Sequence, residues 1–289
     1  GVVRLAPRLT VEHALTDGLR LQAGYGRYYQ ALSLFSSQLF SAFDFWLTSD
    51  AGVEPSFGDQ FLLGLKAAPR PGWRVEVEGY ARTMRDLFEL DRRIADYTGL
   101  DFEETLLFGR GLAYGVETLV RGERGPVGGF VAYTLSRTTR TFDAFEGGRT
   151  FPTRYDRTHD LNVVARYDFA DAWRATAVFT YATGQAYTQP SAQYQLIDPP
   201  YSSNTPDVFV SNFNADRLPP YHRFDIGVRR TGSFFDIGQY EAQVQLVNAY
   251  GRRNIWFYFF EAENGNTIER NAVPQIPVPL PNLSLTLTF

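Results

Sequence analysis

The chain has 289 residues, no cysteine, 44% hydrophobic residues and a formal net charge of −4. The length fits one large domain or two ordinary ones, and the hydrophobic fraction indicates an ordered chain. The lack of cysteine excludes disulfides and thiolate metal sites, and the mild acidity argues against a nucleic-acid binder, which would carry a basic stripe. Aromatic residues dominate the apolar set, with 24 Phe and 17 Tyr against one Met, which favours strands over helices.

No apolar run approaches 18 residues, so no membrane-spanning helix is predicted. A membrane-spanning β-strand needs only about 9 to 11 alternating residues and remains possible. The sequence opens on GVVRLAPRLT, with neither Met nor the apolar core of a signal peptide. We therefore expect it to start within a longer protein or after processing.

Apolar alternation and turn residues predict about eleven strands and almost no helix. In chain order these strands span residues 5–15, 19–30, 57–68, 73–90, 108–121, 126–140, 157–169, 173–183, 220–231, 239–260 and 281–289.

The alternation is clearest in WRATAVFTYAT, which starts at Trp173, and in HDLNVVARYDF, which starts at His159. Successive side chains of a strand point to opposite faces, so each of these strands has one apolar and one polar face. The apolar face is expected to point outward at Leu161, Val163, Ala165, Phe179, Leu283, Leu285 and Leu287, and the polar face inward at Arg166, Asp168, Thr176, Ser284 and Thr286.

The connections alternate in length. Tight turns are predicted at residues 16–18, 69–72, 122–125, 170–172 and 231–238, and long segments separate them, the longest running from Gly184 to Pro219. In an up-and-down meander this alternation puts all tight turns on one rim and all long loops on the other, as in outer-membrane barrels. A soluble sandwich has no reason to keep that order.

Trp73 and Trp173 each follow a tight turn directly. This position predicts an aromatic belt at one membrane interface. The alternative is that both are core residues of a soluble barrel.

Several stretches resemble the C-terminal barrel of TonB-dependent outer-membrane receptors, particularly the Bacteroidota-type branch. They are LRLQAGYGRYYQ, GRGLAYGVETLVRG, GGFVAYTLSRTTRTF, FPTRYDRTHDLNVVARYDF, YATGQAYTQP, PPYHRFDIGVRR, LVNAYGRRN and the terminal LPNLSLTLTF. Their order covers essentially the whole chain. In that family the last strand ends in Phe, which the barrel assembly machinery reads as an insertion signal, and Leu285, Leu287 and Phe289 match that pattern.

The resemblance implies that residues 1–289 are the C-terminal part of a 22-stranded transmembrane barrel domain, with the plug domain and the TonB box outside this chain. The implied function is active import of a scarce nutrient, such as a siderophore, cobalamin or an oligosaccharide, across the outer membrane of a Gram-negative bacterium. The implied partners are lipid, the assembly machinery, and the plug and TonB through the N-terminal part. The first and last strands are then expected to be open edges. A passive porin-like or structural barrel is the alternative, and an upstream plug and TonB box would separate the two.

An enzyme, a cofactor and a metal site are not expected. Asp156, His159 and Asp160 in YDRTHD could form an acid/base or metal set, but residues three apart on a strand face opposite sides. The run from Gly109 to Gly115 has the wrong spacing for a dinucleotide loop. An outer-membrane hydrolase would need a nucleophile facing a histidine, and no such pair is evident in the sequence.

Polar contacts and substrate contacts are expected in different places. The inward charges are expected mainly to pair with one another, and they are Arg74, Glu76, Glu78, Arg166, Asp168 and Arg229. Aromatics of the long loops could stack on a ligand or equally pack loop against loop, and the candidates are Phe43, Trp46, Tyr187, Tyr194 and Tyr201.

Overall fold

The computed structural model describes residues 3–35, 45–48, 53–91, 99–100, 102–190, 192–194, 208–210, 212–235, 237–263 and 267–289. Its main unit is a 12-stranded antiparallel sheet, in which eleven strands form an up-and-down meander and the two-residue β9 (Phe151–Pro152) pairs with β8. The meander consists of β1 (Arg8–Thr16), β2 (Leu19–Gln30), β5 (Ser56–Ala67), β6 (Trp73–Leu90), β7 (Leu106–Arg124), β8 (Val127–Phe142), β10 (His159–Ala170), β11 (Trp173–Ala182), β16 (Tyr221–Phe234), β17 (Gly238–Val247) and β20 (Leu280–Thr288).

The remaining strands form hairpins and small ladders within the long connections. They are β3 (Leu32–Phe35) with β4 (Phe45–Thr48), β12 (Ala186–Tyr187) with β15 (Asp216–Arg217), β13 (Ala192–Tyr194) with β14 (Val208–Val210), and β18 (Asn254–Glu263) with β19 (Thr267–Gln275). Two 3-10 turns, Phe102–Thr105 and Glu146–Gly148, are the helical elements of the described residues. No helix in that part of the chain is long and apolar enough to cross a membrane.

The predicted eleven-stranded meander and its alternating connections are confirmed. One boundary was wrong, because the strand predicted over 239–260 ends at Val247 and the chain resumes as β18. Asn248 takes a left-handed conformation with a φ of 56°, and its side-chain amide donates to the carbonyl oxygens of Arg252 and Ile276 at 3.0 and 2.8 Å. These bonds turn the chain away from the sheet at that residue.

The two outer strands of the meander, β1 and β20, pair only with β2 and β17 respectively in the described part of the chain. The expected absence of a ladder between them is therefore found. Each leaves one row of backbone hydrogen-bonding groups open at the edge of the sheet.

The register gives the meander two chemically distinct faces, because directly paired residues share a face. One row that crosses six strands contains only apolar or aromatic residues, namely Val127, Tyr167, Ala175, Val228, Val244 and Leu283. The adjacent row on the other face is polar, namely Asp168, Arg174, Arg229, Gln243 and Ser284.

Within the part of the chain that the structure describes, no protein segment covers the apolar face at its C-terminal strand. Leu283, Leu285 and Leu287 are 75%, 65% and 47% exposed, as expected for outward residues. Val163 and Phe179 are half-buried, because Phe179 lies directly opposite Val163 and Phe224. The buried apolar cluster lies elsewhere, at the long-loop rim, where Leu107, Phe142 and Phe151 pack together.

Candidate functional site

The inward face carries a chain of ion pairs near the short-turn rim. Arg174 Nε donates to Asp168 Oδ1 at 2.5 Å, and Arg229 Nη1 donates to Glu241 Oε2 at 2.7 Å. Further pairs continue along the face, and they are Arg20 and Lys66 with Glu12, Arg74 with Glu76, Arg121 with Glu123, and Arg166 with Glu123 and Asp168. The expected mutual pairing is found for Arg74 with Glu76 and for Arg166 with Asp168, whereas Arg229 pairs with Glu241, outside the expected set. These pairs join seven cations to five carboxylates and give the face a polar lining.

A buried carboxylate links two chain segments at the opposite rim, which carries the long loops. The Asp156 side chain has no exposed surface and accepts a hydrogen bond from the backbone N–H of Thr138 at 2.5 Å. Arg217 Nη2 donates to the same carboxylate, and Arg217 Nη1 donates to the Asp156 carbonyl oxygen at 2.6 Å. Arg137 adds a contact at 3.3 Å. Asp156 therefore joins β8 and β15, which lie far apart in the sequence.

The same geometry speaks against an acid/base set in YDRTHD. Asp156 is engaged by two arginines, whereas His159 Nδ1 lies 2.7 Å from the Tyr133 hydroxyl. Asp160 instead accepts a hydrogen bond from Asn162 at 2.6 Å. Each polar group has its own structural partner. Among the described residues, no group of three or more His, Cys, Asp or Glu is placed to hold a metal ion.

A second polar cluster fixes the turn after β17. The buried Asp225 carboxylate accepts from the backbone N–H of Asn248 at 2.8 Å and from Arg223. Asn254 accepts from the N–H of His222 at 3.0 Å and donates to the His222 carbonyl oxygen at 2.9 Å. These bonds tie the start of β16 to the base of the β18–β19 hairpin, a role that the sequence did not reveal.

The loop aromatics differ in their surroundings. Tyr187 packs against Tyr258 and Phe260 of the hairpin, with ring centroids 5.4 and 6.4 Å apart, and Arg270 lies 4.7 Å from the Tyr258 ring centroid. Burial raises the pKa of the Tyr187 hydroxyl, and Arg270 opposes that shift. Tyr187 therefore packs its own loop against the β18–β19 hairpin. Trp46 is 61% exposed, Tyr194 lies in β13, and Phe43 and Tyr201 lie outside the described residues.

The two turn tryptophans occupy equivalent places. Each begins a strand directly after a tight turn, and the register puts both on the apolar face. Each ring also has an arginine over it, Arg70 at 4.8 Å from Trp73 and Arg230 at 5.2 Å from Trp173. An aromatic ring with a neighbouring cation suits a membrane interface, and this interface role remains a prediction.

A comparison of the sequence with protein-family models identifies the family of this chain. Residues 3–250 match the model described as TonB dependent receptor-like, beta-barrel. The chain belongs to the TonB-dependent receptor family. Its eleven-stranded meander is accordingly a portion of a receptor β-barrel wall. No curated protein matches the sequence.

Solved TonB-dependent receptors share this fold at low identity. The ferric-catecholate import receptor Fiu from E. coli K12, in its closed form, has a TM-score of 0.62 and 13% identity, covering 97% of this chain and 34% of that one. The unliganded ferric citrate transporter FecA has a TM-score of 0.60 and 12% identity, covering 98% and 38%. The ferripyoverdine receptor of Pseudomonas aeruginosa, bound to ferripyoverdine, has a TM-score of 0.59 and 14% identity, covering 98% and 32%. The chain spans about a third of each receptor.

The C-terminal residue of this receptor chain lies at the short-turn rim. Phe289 is 84% exposed and its ring meets that of Phe234 edge-on, with centroids 5.6 Å apart. Leu285 and Leu287 precede it on the outward face, opposite Ala242 and Tyr240 of β17. Recognition of these three residues by the assembly machinery stays a prediction.

Proposed function

We propose that the protein containing this chain is a TonB-dependent importer in the outer membrane of a Gram-negative bacterium. The chain would supply part of the barrel wall, part of the lumen lining and part of the outer binding surface. The cargo would be a scarce nutrient such as a siderophore, cobalamin or an oligosaccharide.

The observation that carries this proposal is the opposite chemistry of the two faces of a single-layered sheet. In water, the uncovered rows through Val244 and Leu283 would be a large aggregation-prone surface. In a bilayer they would face hydrocarbon, and the inward ion pairs would face a hydrated lumen. Backbone N–H and C=O groups in a bilayer need hydrogen-bond partners within the protein. Antiparallel pairing supplies these partners for the strands between β1 and β20.

The partners of such an importer would contact different parts of the structure. The ion-paired inner face would lie against a hydrated plug domain, and TonB would act on that plug through the N-terminal part of the protein. Lipid would surround the outward face. The barrel assembly machinery would engage β20 through Leu285, Leu287 and Phe289.

Of Trp46 and Tyr187, the candidate aromatics whose side chains the structure describes, Trp46 is the one we propose as a substrate contact. It lies on the long-loop rim with its ring largely exposed, whereas Tyr187 is occupied by Tyr258 and Phe260. The names of Fiu, FecA and the ferripyoverdine receptor refer to iron chelates, so iron chelates are the first cargo class to test.

The test is uptake by the full-length protein in cells with and without TonB, using a panel of labelled ferric siderophores, cobalamin and oligosaccharides. We expect uptake of one class that disappears without TonB or after the proton gradient is collapsed. Uptake that persists under both conditions would identify a passive pore and overturn the importer proposal.

A further inference from the structure

A shallow apolar furrow runs up the outward face of the wall from the short-turn rim. Two adjoining cavities of about 550 and 530 Å³ form it, and both are lined by Val228 and Val244. Alanines line it at positions 165, 175, 177 and 242, and larger neighbours such as Ile226 and Leu285 flank them. The short side chains leave a strip into which a hydrocarbon chain can pack.

An arginine lies at the lower end of this furrow. Arg230 pairs directly with Trp173 and Ala242 across the sheet, so it shares their outward face. It is exposed, and within the described ranges its guanidinium contacts the Trp173 ring without an ion pair to a carboxylate. Arg229, the preceding residue, faces inward and pairs with Glu241. Among the described residues, the outward cation is therefore not neutralised by a carboxylate.

The furrow fits within one leaflet of a bilayer. From Arg230 to Ile226 the strand advances four residues, or about 13 Å at roughly 3.3 Å per residue, which is about 10 Å along the bilayer normal for a strand tilted by about 40°. Half of a hydrocarbon core about 30 Å thick is about 15 Å. A group bound at Arg230 would thus lie near the interface while a chain in the furrow reached toward the bilayer centre.

We propose that this furrow binds one anionic phospholipid of the inner leaflet, with an acyl chain along the alanines and the phosphate on Arg230. The proposal rests on the outer-membrane position proposed above. Arginine suits this role because its guanidinium donates several hydrogen bonds to phosphate oxygens. The Trp173 ring holds the guanidinium at the interface by a cation–π contact.

Arg70 and Trp73 provide a matched comparison within the same chain. They form a similar arginine–tryptophan pair at the same rim, but neither residue lines the furrow. An effect that requires both the cation and the furrow should therefore be confined to Arg230.

The experiment is native mass spectrometry of the full-length protein in a mild detergent, with phosphatidylglycerol or phosphatidylcholine of identical acyl chains. Arg230→Gln should lower retention of phosphatidylglycerol about fivefold, as expected for one charge-assisted contact, and leave phosphatidylcholine nearly unchanged. Ala242→Leu, which fills the furrow, should lower retention of both lipids. Arg70→Gln and Ala23→Leu, an outward alanine of β2, should change neither.

Equal losses in Arg230→Gln and Arg70→Gln, or no loss in Arg230→Gln, would overturn the lipid site. Membrane fractionation of the wild-type protein separates this outcome from failure of the proposed function. Protein that fractionates with the outer membrane but shows no lipid preference refutes the furrow alone, whereas protein absent from the outer membrane refutes the position on which it depends.

Discussion

Removal of the Asp156 carboxylate should open the long-loop rim locally. In Asp156→Ala the N–H of Thr138 loses a charged acceptor at 2.5 Å, and the loss of such a bond costs about 1.5–3 kcal/mol. Arg217 and Arg137 also lose their partner, but their side chains are 32% and 39% exposed and regain water, so they add at most about 1 kcal/mol. We expect a total of about 1.5–4 kcal/mol.

Native-state hydrogen exchange of the full-length protein measures this loss. Three backbone amides report on how tightly Asp156 holds the rim. The first is that of Thr138 itself. The other two are the amide of Thr153, which donates to the Thr138 carbonyl oxygen at 3.0 Å, and the amide of Leu218, which donates to the Gln185 carbonyl oxygen at 2.9 Å. If exchange follows the opening equilibrium, a loss of about 1.5–4 kcal/mol speeds exchange about 10- to 900-fold. Asp156→Asn keeps one acceptor for Thr138 and should give a smaller increase.

Asp143 is the matched control. It also pairs with an arginine, Arg110, at 3.1 Å, but the two side chains are 62% and 75% exposed, so Asp143→Ala should cost no more than about 1 kcal/mol. If Asp156→Ala speeds exchange no more than Asp143→Ala does, burial of the carboxylate does not hold the rim together and the reasoning is refuted.

Three further predictions address other parts of the chain. Phe289→Ser should reduce the folded, heat-modifiable protein in the outer membrane several-fold, whereas Phe235→Ser, at another exposed aromatic of the same rim, should not; equal reductions would contradict a terminal assembly signal. Gly184→Ala should speed exchange of the Leu218 amide, because a Cβ at residue 184 would overlap the Leu218 carbonyl oxygen; Gly79→Ala, where no atom beyond the two chain neighbours lies closer than 4.0 Å to the added Cβ, is the control. Because burial raises the pKa of Tyr187 above its usual value near 10, the stability linked to its neutral form is complete below about pH 10 and is lost as the pH rises through the folded-state pKa. The difference between the spectrophotometric titrations of the wild type and of Tyr187→Phe should show that the Tyr187 hydroxyl ionises above pH 10. A midpoint of that difference near pH 10 would contradict the raised pKa.

The wall could be predicted from sequence because its determinants are local. The alternation in WRATAVFTYAT predicted a strand over 173–183, and the strand spans Trp173–Ala182. In an up-and-down meander each strand pairs with the next strand of the wall, so strand order required no long-range information. The two faces followed from the same two-residue period.

The rims could not be predicted in the same way. Arg217 lies 61 residues from Asp156, and nothing in the intervening sequence indicates that the two meet. The aromatic run in β18 continues the alternation of β17, so the break at Asn248 was missed. That break depends on side-chain bonds to Arg252 and Ile276, which exist only once the hairpin has folded back.

The distribution of buried residues explains why polar side chains matter so much at the rims. A single-layered wall has no interior, and its outward residues would gain nothing from burial against protein. The apolar cluster around Phe142 and the buried side chains of Asp156, Asp225 and Asn248 lie at the long-loop end. There the backbone leaves the ladder, and its N–H and C=O groups need other partners. Asp156 supplies one for Thr138, and Asn248 supplies one for Arg252. Backbone pairing thus maintains the wall, and a few buried side chains position the loops around the opening.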